Sequence, residues 1–329
     1  MDKGLILVRP AIAFACLALL LPAALPAATR DTTLSLVAYS TPKAAFAKLI
    51  PAFQATPAGK GVNFTQSYGP SSDEANAILN GLPADVVDLS LWPDVDLLRR
   101  HGLVDKNWDQ NAYHGIVTRS VVVFVVRQGN PKHIKTWEDL VKPGIQVLTP
   151  NPVTSGGARW NVLAAYGAML REGKTTAQAA AYLKTLFQHV VVQDKSARDA
   201  LNTFLGGKGD VLLTYENEAK LAIASGQPAY YVIPKATIRV ENPVAVLSTS
   251  KNKDAARAFV NFLYTPTAQR IFADSGYRPV LKSVIKDYSF PVRPWLFTID
   301  YLGGWAKVDK QFFDPNSGLI AQIEASLGH

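Results

Sequence analysis

One stretch constrains this chain more than any other: Thr149-Pro-Asn-Pro-Val-Thr-Ser-Gly-Gly-Ala-Arg-Trp-Asn-Val-Leu-Ala-Ala-Tyr-Gly-Ala-Met-Leu170, which reads as a helix start built to hold an anion. An apolar strand, Ile145 to Leu148, runs into a Pro-rich turn. Thr154 and Ser155 then supply N-cap chemistry, and Gly156-Gly157 strip side chains from the first turn. The bare amide N–H groups left there carry the positive end of the helix dipole, so a sulfate or phosphate can sit on them without a Lys or Arg in contact. Taken alone, the segment is equally well explained as an ordinary capped helix whose glycines serve close packing. The recurrence of the device favours the anion.

Thr33 to Tyr39 reads as a strand ending in Ser40-Thr41-Pro42, with Thr41 as N-cap and Pro42 at the first helical position of a helix Lys43 to Phe53. The apolar face of that helix is Ala45, Phe46, Leu49, Ile50 and Phe53. Gly61 to Gln66 is the next strand, and Ser71 opens the next helix. Ser71 with Glu74 three residues on fits a capping box; the competing reading turns the Ser71 hydroxyl towards a ligand. Asp85 to Leu91 is a further strand. Val117 to Val126 is strongly β-rich and begins a second α/β unit. Val190 to Asp194 leads through Ser196-Ala197-Arg198 into a helix Asp199 to Leu205, and the strand from Asp210 delivers Tyr215 to another helix start. Val244 to Leu247 is a late strand, followed by helices Lys253 to Tyr264 and Thr267 to Ser275. Strands alternating with helices predict a parallel sheet with right-handed crossovers. With no internal repeat and no low-complexity linker, two α/β lobes joined by short strand crossovers are expected.

At 329 residues, 48% hydrophobic and 18% charged, the chain has the material for two such lobes. The formal charge is +8; residues 1–28 contribute +1 through Lys3, Arg9 and Asp2, leaving +7 spread along the rest rather than gathered in a basic block. That distribution fits small anions and argues against nucleic acid. Lys3 and Arg9 precede an uncharged run from Ala11 to Ala28 that contains Pro22 and Pro26 and closes in small residues. This is the layout of a signal peptide cleaved near Ala27 or Ala28, and it implies export to the periplasm or another extracytoplasmic space. Cys16 is the sole cysteine and lies inside that run, so the mature chain forms no disulfide and no thiolate metal site; lipidation of Cys16 is the minor alternative to cleavage.

Enzyme signatures are missing: there is no GxSxG, HExxH, GxxxxGK[ST] or strand-following GxGxxG. The histidines, His101, His114, His133, His189 and His329, are not spaced to share a metal. Carboxylate pairs such as Asp85 with Asp88, or Glu216 with Glu218, fit capping and salt bridging better than acid–base catalysis. A non-enzymatic binding protein without cofactor or metal is the expectation.

Several runs carry a family resemblance: Gly129-Asn-Pro-Lys132, Thr149-Pro-Asn-Pro152, Ser155-Gly-Gly-Ala-Arg-Trp-Asn161, Asp210-Val-Leu-Leu213, Glu216-Asn-Glu-Ala219, Leu263-Tyr-Thr-Pro266, Tyr277-Arg-Pro279 and Gly303-Gly-Trp-Ala-Lys307. From Leu34 to about Ile323 the chain resembles the periplasmic sulfate-binding proteins of sulfate/thiosulfate ABC transporters. The resemblance implies a type II periplasmic binding protein, an α/β fold of two lobes closing on one dehydrated sulfate or thiosulfate, monomeric, and delivering its anion to a membrane permease. Lobe I would hold residues 29–116 and 240–329, and lobe II residues 117–239. Carried over by position, the anion's donors would be the N–H of Thr41, the hydroxyl and N–H of Ser71, the N–H groups of Gly156, Gly157 and Ala197, and the side chain of Tyr215. Arg159 and Arg198 would stand behind them. Two positions depart from the family pattern, which has Asp at Thr41 and Trp at Tyr215. The second changes the chemistry, since an indole N–H only donates whereas a phenol donates or accepts. It keeps molybdate or tungstate open as an alternative ligand.

Overall fold

The structure is a computed structural model that describes residues 1–2 and 32–328; apart from Met1 and Asp2, the expected signal peptide with Cys16 lies outside the described residues. The strands are β1 (Thr32–Tyr39), β2 (Val62–Gly69), β3 (Val86–Asp88), β4 (Ile116–Arg127), β5 (Val147–Leu148), β6 (Val190–Val192), β7 (Val211–Tyr215), β8 (Ala229–Val232), β9 (Ala236–Val246), β10 (Arg278–Pro279) and β11 (Trp295–Phe297). The helices are α1 (Lys43–Gln54), α2 (Ser71–Leu79), α3 (Trp92–Arg100), α4 (Gly156–Arg171), α5 (Thr176–Gln188), α6 (Ala197–Leu205), α7 (Glu216–Ala224), α8 (Lys253–Leu263), α9 (Pro266–Asp274), α10 (Lys282–Ile285), α11 (Trp305–Phe313) and α12 (Leu319–Leu327).

The strand order is β2-β1-β3-β9-β4-β7-β5-β6. Pairing is parallel within each end of this path, β1 with β2 and β3, and β5 with β6 and β7. The alternating pattern of the sequence predicts that arrangement throughout, but the two long central strands break it. β4 runs antiparallel to β7 and β9, and β9 runs antiparallel to β3, so the sheet is mixed. β4 is long enough to pair with β9 through Ile116–Val121 and with β7 through Val122–Val126, so one strand joins both ends of the path. Its side chains are almost all buried, as its Val-rich stretch Val121–Val126 requires of a strand covered on both faces.

Separate cores flank these crossing strands. On one side Leu36, Phe46, Phe53, Phe259, Phe272 and Tyr277 pack between β1 and helices α1, α8 and α9. Phe53 and Phe259 meet edge-on at 5.1 Å. On the other, α4 is buried on nearly its whole circumference, as expected of a helix with apolar and small residues all round. The same core takes in Val308 and Phe312 of α11 and Ile320 and Ile323 of α12, so the C-terminal helices pack with α4 and α5. A Cβ on Gly167 would lie 2.3 Å from the Phe297 ring, so the missing side chain there lets β11 dock on α4.

Two capping expectations are corrected. The Thr41 hydroxyl does not cap α1; it pairs with the Tyr277 hydroxyl at 2.8 Å, and Pro42 occupies the cap position. Ser71 and Glu74 form no capping box, because Ser71 is itself the first residue of α2 and Glu74 accepts from the Ser67 hydroxyl at 3.0 Å. A true capping box forms instead at Thr175 and Gln178, at the start of α5.

Candidate functional site

Ser71, Gly156 and Ala197 are the first residues of α2, α4 and α6, and all three line one small cavity. Tyr39, Ser40, Pro70, Ser90, Ser155, Gly157 and Tyr215 complete its wall. None of these side chains carries a charge at neutral pH. A helix's first amides have no carbonyl one turn behind them, so three helix N-termini and their positive dipole ends converge here, with the second amide of α2, Ser72 N–H, given to the Thr154 carbonyl at 3.1 Å. Ser155 and Ser196 have extended backbones and cap their helices by accepting from Ala158 N–H at 3.4 Å and Asp199 N–H at 3.1 Å. Those caps consume third-residue amides and leave the first ones facing the cavity. Tyr215 stands at the corresponding place before α7, at the end of β7.

The glycines have distinct reasons. A Cβ on Gly156 would stand 2.7 Å from the Cβ and Oγ of Ser90 and 2.8 Å from Leu91 Cγ, so the opposite wall of the cavity leaves no room for a side chain. A Cβ on Gly157 would lie 3.2 Å from Ala197 Cβ, 3.4 Å from Ser155 Oγ and 3.8 Å from Tyr215 Cζ, which places it among the lining residues themselves. Tyr215 is fully buried, and burial pushes its phenol well above the ordinary value, as it does for Tyr39; both keep their protons at neutral pH.

Five of the six first-rank candidates therefore meet in one cavity: Ser71, Gly156, Gly157, Ala197 and Tyr215. Thr41 follows the lining residue Ser40 and is buried beside it. The Ser71 hydroxyl donates to Asp94 Oδ2 at 2.6 Å and accepts from Ser90 N–H at 2.9 Å, so the amide is the group that α2 offers. Arg198 forms a two-pronged bond to Glu218, 2.7 Å at each contact, and donates from Nη2 to the Thr41 carbonyl at 3.2 Å. That carbonyl belongs to the Thr41–Pro42 peptide, which has no N–H, so Arg198 braces the backbone behind the cavity without lining it. Arg159 donates to the Pro152 carbonyl at 3.0 Å and pairs with Asp309 at 3.2 Å, behind the Pro-rich turn.

Sequence reasoning misses Ser90 and the buried acid Asp94. Ser90 sits in the featureless run Leu89-Ser90-Leu91, and only packing against Gly156 reveals it. Burial raises the Asp94 carboxyl above its usual range, opposed by the Arg159 charge and the two bonds it accepts from Ser71 and Ser72. No group of acidic, His or Cys residues suited to a metal occurs among the described residues.

Two cores bridged by long antiparallel strands, with a polar cavity where helix N-termini meet, define a type II periplasmic binding fold. A family profile described as bacterial extracellular solute-binding protein matches residues 34–278. A sulfate-binding protein of Synechococcus elongatus is 43% identical over 291 residues, covering 85% of this chain and 83% of that protein. A thiosulfate-binding protein of Pseudomonas aeruginosa is 36% identical, covering 87% of this chain and 90% of its own. The solved structure of the sulfate-binding protein SubI from Mycobacterium tuberculosis H37Rv is 46% identical with a TM-score of 0.84, covering 86% of this chain and all of that one. The chain belongs to the bacterial extracellular solute-binding proteins, in the family of the sulfate-binding proteins.

Proposed function

We propose that this chain captures one sulfate, or the similarly shaped thiosulfate, in the cavity between its two lobes and presents it to the membrane permease of an ABC transporter. The observation that carries the reading is the convergence of three helix first residues, Ser71, Gly156 and Ala197, on a cavity lined by no charged side chain. Sulfate is fully ionised near neutral pH and offers only acceptors, so amide and hydroxyl donors satisfy it completely. The dipoles behind them stabilise its charge without a countercharge in contact. The donors in this reading are the N–H groups of Thr41, Ser71, Gly156, Gly157 and Ala197 with the phenol of Tyr215. Arg198 braces the Thr41 backbone from behind through its carbonyl. The lobes change over at β4 and β9, with the C-terminal helices α11 and α12 docked on the second lobe. Residues 1–28 direct export, and the protein acts as a monomer without turning its ligand over.

Titration calorimetry against sulfate, thiosulfate, molybdate, tungstate and phosphate tests this. One-to-one sulfate or thiosulfate binding at micromolar or tighter Kd, about −8 kcal/mol, is expected. Tighter binding of molybdate or tungstate than of either sulfur anion overturns the ligand assignment.

A further inference from the structure

Ser90 lines the cavity and is held there through both of its backbone groups. Its N–H donates to Ser71 Oγ at 2.9 Å, and that hydroxyl is in turn committed to Asp94. Its carbonyl receives the indole N–H of Trp160 at 3.0 Å and the Asn242 amide at 3.1 Å. Its Cβ packs on the bare Cα of Gly156. With both backbone groups occupied by other partners, the side-chain hydroxyl is left to a single polar contact, the Tyr215 hydroxyl at 2.6 Å. Both residues are buried, Ser90 at 1% exposure and Tyr215 at 0%. They arrive from opposite ends of the sheet path, Ser90 just after β3 and Tyr215 at the end of β7.

A phenol carries one proton and can turn it towards any acceptor in reach, and an oxyanion needs it turned inward. Two hydroxyls in contact share one bond, so one of their two protons remains free. We propose that Ser90 is the positioning residue of the anion site: its hydroxyl donates to the Tyr215 oxygen and thereby directs the phenol proton to the bound anion. The chain Ser90 O–H to Tyr215 O–H to anion oxygen is cooperative, because each donated bond polarises the next. This assignment rests on the oxyanion reading above and deepens it.

A double-mutant cycle on the full chain, read by sulfate calorimetry with melting temperatures alongside, tests it. Ser90→Ala keeps the Cβ that packs on Gly156 and removes only the hydroxyl. The expected result is a loss of about fivefold in sulfate affinity for Ser90→Ala and of about tenfold or more for Tyr215→Phe, with the double variant within about twofold of Tyr215→Phe alone. Ser90→Cys, which keeps the shape with a weaker donor, should fall between wild type and Ser90→Ala. If Ser90→Ala stays within about twofold of wild type, or if the two losses multiply in the double variant, the relay is overturned while sulfate binding itself stands. If the wild type binds none of sulfate, thiosulfate, molybdate and tungstate, the oxyanion reading fails and this assignment falls with it.

Discussion

Gly157 separates a ligand role from a packing role at a single atom. A Cβ there meets Ala197, Ser155 and Tyr215 at 3.2–3.8 Å, ordinary or slightly tight contacts that the fold tolerates, but it occupies the space in which an anion on the α4 amides would lie. Gly157→Val is therefore expected to lower sulfate affinity by about ten- to a hundredfold, the equivalent of an overpacking cost of about 1–3 kcal/mol. Its melting temperature should move by only a few degrees, or about 1 kcal/mol. Unchanged affinity with a much lower melting temperature would make the residue a packing position. Gly156→Ala behaves differently, because its Cβ meets Ser90 and Leu91 below 3.0 Å across the cavity; it should weaken sulfate binding and melting temperature together.

At the scale of elements, α6 and α7 are joined by the Arg198–Glu218 pair. Glu218 is fully buried, so removing its cation leaves a charge stranded in the core. Arg198→Met should cost about 3–5 kcal/mol in denaturant unfolding, and adding Glu218→Gln should recover much of it, because the stranded charge causes most of the loss. A full-size loss persisting in the double variant would assign the effect to the Thr41 contact instead. The far end of α4 supplies a pH test. Glu172 caps that helix at its negative dipole end, and burial with the neighbouring Glu138 carboxylate pushes its carboxyl up to about 7, while the coupled Glu138 is lowered. The folded state then holds a proton that the unfolded chain releases near the ordinary value of 4.5, so this pair's contribution declines as pH rises from about 4.5 to about 7. Glu172→Gln should melt higher than wild type at pH 8, with a smaller difference at pH 5. Equal shifts at both pH values would refute the shared-proton account.

For the whole molecule, holding an anion with dipoles rather than surface cations has consequences in bulk. Screening acts strongly on exposed charges and weakly on a dry cavity, so sodium chloride up to about 0.5 M should reduce sulfate affinity only mildly. A fall of several orders of magnitude would point to a surface Lys/Arg site. Binding the folded state alone stabilises it by RT ln(1 + [L]/Kd), so sulfate at about 100 times Kd should add about 2.7 kcal/mol and raise the melting temperature by several degrees. Chloride at equal ionic strength should not reproduce that rise.

Much of this was legible in one dimension. Helix starts are local events, and Ser155-Gly-Gly, Ser196-Ala197 and Tyr215-Glu216 announce them within three or four residues; α4 and α7 begin where those signals put them, and α6 begins at Ala197, two residues before the expected Asp199. The β-branched run of β4 likewise declares a strand buried on both faces. The meeting of these starts in one cavity depended on non-local pairing. β4 runs antiparallel to both β9 and β7 and pairs with each in turn, which no alternation of strand and helix signals encodes. Hydroxyl partners were hidden for the same reason. The Thr41 side chain finds Tyr277 across 236 positions and Ser90 finds Tyr215 across 125, so local capping rules assigned Thr41 to its own helix and passed over Ser90. The sequence by itself determined where helices such as α4 and α7 begin, since a helix start is written in neighbouring residues; only the tertiary structure decided that these starts share one cavity and which hydroxyls meet there, since a buried hydroxyl takes its direction from neighbours that folding brings together.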